Sequence, residues 1–514
     1  MEYKLGKKAA SIIVLILVLL TMGMLSLVFN IQPAKSEWTR TVYIRADGSI
    51  DPSDAPIHRD GNVYTLTDNI TSSGDGIVVE RNNIIIDGNG YTLQCTGDFT
   101  FALKGIHLSG RSNVTIKNIN IQNFTVGIRL DYSSNITINS SNIINNGEGI
   151  HLYKSSKNSI YESSITNNGG YGILLDYSSN CSNISGNSIT NNGYGVWMDC
   201  LSDNNVIRKN VIVDNGDGLI LGGIGGYSVN NTIVKNVVAN SRYGILLGLS
   251  SNNFVSSNRI VNCWIGIDVG SLRPPPRSYN NTIIANTLEN NRAGVYLRYS
   301  SGNSIYRNNF INNTYQGSAS DSINTWDDGY PGGGNYWSDY VGVDLFSGPY
   351  QNDTGSDGIE DTPYVIDENN VDRYPLMGPF NSFNVSVGYS VDVISNSTVE
   401  DFRYFESNST IIMHVSNMTV NQTVGFCRLT IPHDVMSPPY TVKVNDTIIN
   451  FQTIHENYTE GISIIYFTYE HSKLEITIIP EFPTTIILPL FMVLNLVAFV
   501  FRKKRGMKNQ KCGG

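Results

Sequence analysis

Charged residues are scarce in this 514-residue chain, and the few present are more often acidic than basic. Only 15% of the residues are Asp, Glu, Lys or Arg, and the formal net charge is −9. Nucleic-acid binding normally requires clustered Lys and Arg that replace the counterions of phosphate groups. The composition therefore argues against a nucleic-acid partner. The abundance of Asn, Ser, Gly, Ile and Tyr suits short strands and turns better than helices.

Cysteine is also rare, and the spacing of the cysteines suggests no disulfide framework. The cysteines form no CxxC pair and no Cys/His cluster; they are Cys95, Cys181, Cys200, Cys263, Cys427 and Cys512. The sequence therefore predicts neither a set of disulfides nor a zinc site.

Long apolar runs lie at the two ends of the chain. Lys4, Lys7 and Lys8 precede an apolar run from Ala9 to about Phe29, which is the order of an export signal or of an uncleaved signal anchor. A second run, from Ile486 to Phe501, precedes the basic residues 502–505, so the positive-inside rule places that tail in the cytoplasm. We therefore expect the bulk of the chain outside the cell, held at the membrane.

Sequons for N-glycosylation fit an exported protein. They include Asn113-Val114-Thr115, Asn135-Ile136-Thr137, Asn230-Asn231-Thr232 and Asn417-Met418-Thr419. Such acceptors have meaning only after export. We accordingly expect a surface glycoprotein.

A repeat of about 23 residues is the most informative feature of the sequence. Glycines at one phase are separated by 22, 22, 23, 23, 23, 26, 22 and 28 residues; they are Gly105, Gly127, Gly149, Gly172, Gly195, Gly218, Gly244, Gly266 and Gly294. After each glycine, apolar and variable residues alternate, as in Ile128 and Leu130, which describes a strand with one buried face. Two shorter apolar pairs complete each repeat.

Asparagines mark the corners between these short strands. They recur at two phases, at Asn187, Asn210, Asn236, Asn258 and Asn286, and at Asn146, Asn192, Asn215 and Asn291. Asn tolerates a left-handed backbone, so we expect these asparagines to occupy the turns. One repeat cannot bury its apolar face alone, but stacked repeats form parallel sheets around a continuous core. The prediction is an all-β, right-handed parallel β-helix with three short strands per coil over residues 72–315.

After the solenoid the periodicity is lost. Runs such as Val391-Asp392-Val393-Ile394 and Ile464-Ile465-Tyr466-Phe467, separated by Asn and Pro turns, predict a small β-sandwich. We interpret this region, residues 381–478, as a membrane-proximal spacer.

The coils and the segment Gly334-Asn335-Tyr336-Trp337-Ser338-Asp339-Tyr340 resemble the NosD-type β-helix proteins. The run Asp357-Gly358-Ile359-Glu360-Asp361-Thr362-Pro363-Tyr364 and the later Tyr374-Pro375-Leu376 look like their end segment. The sequence Pro480-Glu481-Phe482-Pro483 is similar to the sorting signals of archaeal surface proteins, which implies an archaeal host. The copper role associated with NosD is not expected here, because soft Cu(I) would require clustered Met, Cys or His.

The predicted organisation has six parts. They are a signal peptide or signal anchor (1–36), an N-terminal cap (37–71), the parallel β-helix (72–315), a NosD-type end segment (316–380), the sandwich (381–478), and the motif, transmembrane helix and basic tail (480–514).

The outward positions after each glycine should form two columns on one exposed face. The first column is His107, Arg129, His151, Leu174, Trp197, Ile220, Leu246, Asp268 and Tyr296; the second is Ser109, Asp131, Tyr153, Asp176, Asp199, Gly222, Gly248, Gly270 and Arg298. Asp176 and Asp199 share a phase in neighbouring coils, which predicts backbones about 4.8 Å apart. Insertions at 222–227 and 272–277 follow this strand and would border the same face.

These columns suggest a sugar site. Asp176 and Asp199 are the candidate catalytic pair. The candidate substrate-binding residues are Arg129, Asp131, His151, Tyr153 and Trp197. The alternative is a solvated strand face, which must be polar in any case.

A calcium site is a further candidate. Asp353, Asp357 and Asp361 surround a glycine turn, the kind of oxygen spacing that Ca²⁺ prefers. The alternative is an Asp- and Gly-rich turn that caps the solenoid through hydrogen bonds.

The leading functional hypothesis is a membrane-anchored extracellular protein that binds surface or environmental polysaccharide. One alternative is a polysaccharide lyase or hydrolase; the sequence shows no repeated acidic signature of the polygalacturonase kind and no calcium cage of the pectate-lyase kind. Another alternative, implied by the resemblance, is an accessory factor for an exported metalloenzyme.

Overall fold

The computed structural model describes residues 39–481, apart from 97–101, 224–225, 271–277 and 471, together with Val497 alone. The predicted export signal lies outside the described residues, as does the predicted C-terminal membrane segment except for Val497. None of the helices within the described part of the chain is long and apolar enough to cross a membrane.

Three parallel sheets wind into a right-handed solenoid, which confirms the predicted fold class. Sheet A has 13 strands, and sheets B and C have 12 each. Every coil contributes one strand to each sheet, and consecutive coils pair in parallel, for example Ile128 with Ile150 and then Ile173. The alternation of the sequence thus becomes one inward and one outward residue at each step along a strand.

The strand bounds follow the repeat closely. Sheet A comprises Ile50–Asp51, Val42–Ile44, Ile77–Val79, Lys104–Ser109, Val126–Asp131, Glu148–Tyr153, Tyr171–Asp176, Tyr194–Met198, Asp217–Leu221, Tyr243–Gly248, Ile265–Gly270, Ala293–Arg298 and Tyr315–Ser320. Sheet B comprises Ile57–Asp60, Val63–Leu66, Ile84–Asp87, Val114–Lys117, Thr137–Asn139, Ser159–Tyr161, Asn183–Ser185, Val206–Arg208, Thr232–Val234, Phe254–Ser256, Thr282–Ile284 and Ser304–Tyr306. Sheet C comprises Ile70–Ser72, Thr92–Cys95, Asn120–Gln122, Asn142–Ile144, Ser164–Thr166, Ser188–Thr190, Val211–Val213, Val237–Ala239, Arg259–Val261, Thr287–Glu289, Asn309–Ile311 and Tyr336–Trp337.

The core is a set of aliphatic columns that run along the solenoid. Ile106, Ile128, Ile150 and Ile173 are all 0% exposed, and so is the corresponding Ile column of sheet C. Full burial of each such side chain contributes about 1.5–3 kcal/mol. The continuous core explains why the coils are stable only as a stack.

The glycine column has a steric cause. A Cβ atom at Gly127 would lie 2.6 Å from the carbonyl oxygen of Gly149 and 2.7 Å from Cγ2 of Ile143. The same close approach recurs at Gly149 and Gly172. A larger residue would therefore push neighbouring coils apart, which explains why glycine recurs at this position of each coil.

The corner asparagines have a different role from the predicted one. None of them has a left-handed backbone; the positive-φ residue is the preceding one, such as Lys209 (φ 55°) before Asn210 and Lys235 (φ 57°) before Asn236. The asparagines themselves are buried, and they bond to one another in ladders. Nδ2 of Asn236 donates to Oδ1 of Asn258 (3.0 Å) and to the carbonyl oxygen of Ile207 (2.9 Å). The prediction of a left-handed backbone at the asparagines was wrong: the left-handed residue is the one before each asparagine.

Both ends of the stack are closed by different structures. At the N-terminal end, Ile50–Asp51 and Ile57–Asp60 run antiparallel to their neighbours Val42–Ile44 and Val63–Leu66. At the C-terminal end, the Trp337 ring stacks on Phe310, with ring centroids 4.3 Å apart, and on Tyr364, at 4.1 Å. The polar tip of Trp337 is satisfied as well, because Nε1 donates to Oδ2 of Asp372 at 2.9 Å.

Short two-stranded pairings accompany the solenoid and its end segment. They are Ser228–Val229 with Ser250–Ser251, Ser278–Tyr279 with Ser300–Ser301, Phe346–Ser347 with Asp353–Thr354, and Tyr364–Asp367 with Asn370–Asp372.

The predicted β-sandwich is confirmed as two antiparallel five-stranded sheets. One sheet comprises Phe380–Ser386, Tyr389–Ile394, Val424–Pro432, Ile462–Glu470 and Gln452–Asn457; the other comprises Ser397–Phe405, Thr410–Asn417, Leu474–Pro480, Tyr440–Val444 and Thr447–Ile449. A 3₁₀ turn spans Glu406–Asn408. Arg428, only 2% exposed, fastens the sandwich to the end segment by donating to the carbonyl oxygens of Asp357 and Pro331.

Candidate functional site

The outward face of sheet A carries the predicted columns in register. Arg129 pairs with His107 on one side and His151 on the other, and Leu174 pairs with Trp197. In the second column, Tyr153 pairs with both Asp131 and Asp176. Asp199 lies just beyond its strand, but its amide still donates to the carbonyl oxygen of Leu175 at 2.9 Å, so Asp199 stays beside Asp176.

Arg129, Asp131 and Tyr153 form a compact group at the N-terminal half of this face. The Asp131 carboxylate lies 2.9 Å from Nε2 of His107 and accepts a hydrogen bond from Nε of Arg129 at 2.7 Å. The Arg129 guanidinium lies 5.3 Å from the centre of the Tyr153 ring. These charges are mutually paired, which holds the side chains in fixed positions beside the next coils.

His151 connects this group to the carboxylates. Its Nδ1 lies 2.8 Å from Oε2 of Glu148 and also contacts Nη1 of Arg129. Its Nε2 is buried, has no hydrogen-bond partner among the described residues, and lies 3.7 Å from Oδ2 of Asp176. An unsatisfied buried nitrogen is costly, so the environment of this atom requires an explanation.

Trp197 belongs to an aromatic cluster that the sequence reasoning missed in part. Tyr171 and Tyr194 stack with ring centroids 5.2 Å apart, and the Trp197 ring lies 4.8 Å from Tyr194 and 5.3 Å from Tyr171. Both tyrosines directly precede a phase-setting glycine. Their shared position in two successive coils was the signal that could have identified them.

A second line of aromatic rings runs along the adjoining edge. Tyr153 lies 5.7 Å from Tyr132 and 5.2 Å from Tyr177, and these two rings are 60% and 49% exposed. Nζ of Lys154 lies 5.3 Å from the Tyr153 ring centre. Exposed aromatic rings thus extend over several coils beside the columns.

A cavity of about 250 Å³ opens where these features meet. It is lined by Tyr171, Leu174, Asp176, Trp197 and Asp199. One carboxylate oxygen from each aspartate and the Sγ atom of Cys200 lie within 4.8 Å of one another. The structure therefore brings the predicted catalytic pair together in one cavity with Trp197.

The electrostatics of the cavity are acidic. Burial, together with the nearby Asp199 and Asp176 carboxylates, raises the pKa of the Cys200 thiol to about 11. Oδ1 of Asp199 accepts a hydrogen bond from the Cys200 amide at 2.8 Å. A Cβ atom at Gly223 would lie 2.7 Å from the same Oδ1. Gly223, which follows the strand Asp217–Leu221, therefore packs directly on the Asp199 carboxylate.

Two outward positions in the C-terminal half of the face are buried. Asp268 is 0% exposed and lies under Arg298, whose Nη2 donates to its carboxylate at 2.6 Å. Burial raises the pKa of Asp268, although Arg298 opposes that shift. Ile220 is only 4% exposed despite its outward position. The predicted insertion at 272–277 lies outside the described residues.

The predicted calcium ligands do not converge. Asp353 is exposed, whereas Asp357 is buried beside Arg428, with Oδ2 of Asp357 3.8 Å from Nη1. The Asp361 carboxylate accepts hydrogen bonds from the amides of Leu345 (3.0 Å) and Phe346 (3.1 Å). Within the described part of the chain, the group of acidic, His or Cys side chains with ligand spacing is Asp176, Asp199 and Cys200.

Asp344 organises this turn, and the sequence reasoning did not identify it. Its two carboxylate oxygens accept hydrogen bonds from the amides of Asp357 (2.9 Å) and Gly358 (2.7 Å). Burial raises the pKa of Asp344 to about 7. The arrangement matches a hydrogen-bonded turn at the end of the solenoid.

Two family models match the solenoid. Residues 198–342 match the family described as "Periplasmic copper-binding protein (NosD)", which confirms the predicted resemblance over that range. Residues 57–180 and 104–223 match "Right handed beta helix region". No curated protein matches the chain in sequence.

Several solved structures are similar to this chain. The mannuronan C-5 epimerase AlgE6 A-module of Azotobacter vinelandii shares 14% identity, with 51% of this chain and 88% of that chain covered and a TM-score of 0.39. A variant of the periplasmic alginate epimerase AlgG shares 17% identity over 54% and 72%, with a TM-score of 0.41. The catalytic domain of a GH87 alpha-1,3-glucanase, in complex with nigerose, shares 16% identity over 60% and 70%, with a TM-score of 0.38.

Proposed function

We propose that this protein binds polysaccharide along the outward face of sheet A, with one sugar ring in the cavity beside Trp197. The observation that carries the proposal is the aromatic cluster of Tyr171, Tyr194 and Trp197 next to two carboxylates. Aromatic rings stack on the apolar face of a sugar, while carboxylates accept hydrogen bonds from its hydroxyl groups.

The shape of the face supports a polymeric ligand. The cavity of about 250 Å³ is smaller than the roughly 300–1,000 Å³ of sites that enclose drug-sized ligands. It therefore suits one ring of a longer chain. The exposed line of Tyr132, Tyr153 and Tyr177 offers further stacking positions along the solenoid axis.

A glycan array, followed by titration with the best ligand, tests this proposal. Trp197→Ala should weaken binding by roughly 1–3 kcal/mol, the usual cost of removing an aromatic anchor. Trp264→Ala is the matched control, because Trp264 is 56% exposed and packs against Arg292, with the guanidinium 3.8 Å from its ring centre. Equal affinity of wild type and Trp197→Ala for every bound glycan would contradict the proposal.

Cleavage of the bound polysaccharide is the second candidate function. Oxygens of Asp176 and Asp199 lie within 4.8 Å of each other on the cavity wall. In glycoside hydrolysis one carboxylic acid protonates the leaving oxygen, and a second carboxylate acts as base or nucleophile. Reducing-end release that disappears in both Asp176→Asn and Asp199→Asn would support catalysis, because an amide can neither donate that proton nor act as the base. Binding without release would leave the first proposal alone.

We further propose that the protein is displayed outside the cell and anchored at the membrane. The terminal apolar runs and the basic residues 502–505 support this arrangement. Removal of residues 480–514 should release the protein into the medium, as measured by immunoblotting of cell and medium fractions. Continued retention in the membrane would assign the anchor to the N-terminal run instead.

A further inference from the structure

One corner of the solenoid carries an exposed residue with a left-handed backbone in successive coils. These residues, the corner column, lie between a strand of sheet A and the following strand of sheet B. Backbone hydrogen bonds join the coils there; the Asn204 amide, for example, donates to the carbonyl oxygen of Val229, just before Asn230. Neighbouring members are therefore about 4.8 Å apart, the spacing of paired strands. The column comprises Asn83, Asn113, Asn135, Lys157, Cys181, Asn204, Asn230, Asn252, Asn280 and Gly302.

Four members of the corner column begin a sequon for N-glycosylation. Each is followed two residues later by a partly exposed threonine in a strand of sheet B; the sequons are Asn113-Val114-Thr115, Asn135-Ile136-Thr137, Asn230-Asn231-Thr232 and Asn280-Asn281-Thr282. The residue between the asparagine and the threonine is buried in all four. The asparagine and the threonine thus both reach the surface, where a bulky glycan can be accommodated.

Three of these asparagines have side chains that are not engaged in the fold. Nδ2 of Asn113 donates to Oδ1 of Asn83 at 2.9 Å. By contrast, Asn135, Asn230 and Asn280 make no side-chain hydrogen bond among the described residues. An asparagine amide carries two protons, and attachment of a sugar replaces one of them. Attachment at these three positions therefore breaks no hydrogen bond within the described part of the chain.

A sequon in the sandwich lacks these properties. Asn396 begins the sequon that ends at Thr398, and it is half-buried. Its Oδ1 accepts a hydrogen bond from the Phe426 amide at 3.0 Å, and its Nδ2 donates to the carbonyl oxygen of Val424 at 3.1 Å. A glycan on Nδ2 would crowd that carbonyl group, so we expect Asn396 to stay unmodified.

We propose that Asn135, Asn230 and Asn280 carry N-linked oligosaccharides. Each of the three combines a complete sequon, an exposed left-handed corner and a side chain without a hydrogen bond to the described residues. The modification rests on the proposed display outside the cell, because sequons are used only on exported chains. The glycans would stand in one line along the corner between sheets A and B.

The corner column has no acceptor beside the candidate cavity. The coils that contribute Asp176 and Asp199 turn into sheet B at Cys181 and Asn204. Asn204 is exposed, but Val206 stands where a sequon requires Ser or Thr. Glycans at the three proposed positions therefore leave the cavity open to a polysaccharide, whereas a glycan at Asn204 would obstruct it.

Mass spectrometry of proteolytic peptides tests the assignment on the full chain, isolated from the cells that produce it naturally. We expect glycan on Asn135, Asn230 and Asn280. Asn252 is the matched control and should be unmodified, because it is exposed at the same corner but has Phe254 in place of the sequon threonine. Absence of glycan from all three peptides would overturn the proposal. Protease added to intact cells then separates the two proposals: a digested protein is displayed, so only glycosylation fails, whereas a protected protein overturns display as well.

Two engineered sequons test the gap beside the cavity. Val206→Thr completes a sequon at Asn204, and Phe254→Thr completes one at Asn252, two coils further on. Both changes should preserve the fold, because Thr232 already occupies this position in the coil that pairs with both Val206 and Phe254. Once glycosylated, Val206→Thr should bind polysaccharide at least tenfold more weakly, whereas Phe254→Thr should match the wild type.

Addition of Asn204→Gln to Val206→Thr removes the acceptor and should restore the affinity. Wild-type affinity of the glycosylated Val206→Thr protein would overturn the idea that the gap keeps the cavity open. A wild type that binds no polysaccharide would overturn the proposed binding, whereas peptide mapping would still decide the glycosylation. Circular dichroism of each variant distinguishes obstruction by a glycan from loss of the fold.

Discussion

Replacement of Asn236 by alanine should destabilise the solenoid strongly, although the change removes no apolar surface. Asn236 belongs to the buried ladder that runs through the corner between sheets B and C. Its Nδ2 donates to the carbonyl oxygen of Ile207 and to Oδ1 of Asn258, and its Oδ1 accepts from the amide and from Nδ2 of Asn210. The side chain thus ties three consecutive coils together.

The magnitude follows from which groups are left without partners. The Asn210 amide loses its acceptor in a buried corner, which costs about 1–3 kcal/mol, and each of the three other bonds contributes about 1 kcal/mol. Some neighbours keep a second bond; Nδ2 of Asn210, for example, also donates to the carbonyl oxygen of Ile184. We therefore expect a loss of roughly 3–5 kcal/mol.

Urea unfolding followed by circular dichroism measures this loss, with Asn142→Ala as the control. Asn142 faces outward from sheet C, so its truncation should change stability by less than about 0.5 kcal/mol. If Asn236→Ala lowered the free energy of unfolding as little as the control does, the aliphatic core alone would be enough to hold the coils together. That result would refute the proposed role of the asparagine ladder. A changed slope of the transition would instead indicate that coils unfold separately.

Three further predictions concern packing and buried charge. Gly172→Ala should cost about 1–3 kcal/mol in the same urea assay, because its Cβ would lie 2.6 Å from the Gly195 carbonyl oxygen; an unchanged midpoint would contradict the steric account of the glycine column. Burial and nearby acidic groups raise the pKa of Glu360 to about 8, so the folded protein keeps a proton that the unfolded chain releases. Stability should therefore fall as the pH rises from about 4.5 to 8. In thermal melts, the melting temperature of Glu360→Gln should depend less on pH over this range. Arg298→Met leaves the buried Asp268 carboxylate without its positive partner and should lower the free energy of unfolding by about 3–5 kcal/mol at neutral pH. The loss should be smaller in acid, where Asp268 can take up a proton. An equal loss of stability at both pH values would argue against this pairing.

The sequence predicted the solenoid well because one physical rule repeats in every coil. Each coil buries the same alternate positions, so Ile128, Ile150 and Ile173 could be aligned without a structure. What the repeat could not show was why the glycines and asparagines recur. The glycine is required by a carbonyl oxygen of the next coil, and the left-handed residue precedes the asparagine. Both causes depend on contacts between coils, which a single repeat does not contain.

The sequence could predict those parts of the candidate site that the pairing of strands in neighbouring coils brings together. Asp176, Asp199 and Trp197 were placed together because they share a face on neighbouring coils. Tyr171 and Tyr194 were missed because they precede the glycine, outside the alternating strand pattern. The acidic turn is a different case: Asp357 and Asp361 are close in sequence, yet the Asp357 carboxylate accepts a hydrogen bond from the Ile359 amide and the Asp361 carboxylate accepts one from the Leu345 amide. Proximity along a turn does not determine where side chains point.

The unlike ends of the stack bear on how this chain avoids self-assembly. A pile of parallel strands in register resembles a short length of amyloid fibre folded from one polypeptide, and each unpaired sheet edge is a template on which another chain could grow. Here the first strands of sheets A and B reverse direction, and at the other end rings cover Trp337 before the sandwich begins. A second copy therefore meets no parallel edge at the N-terminal end of these two sheets and no bare core at the other end, which favours separate molecules over fibres.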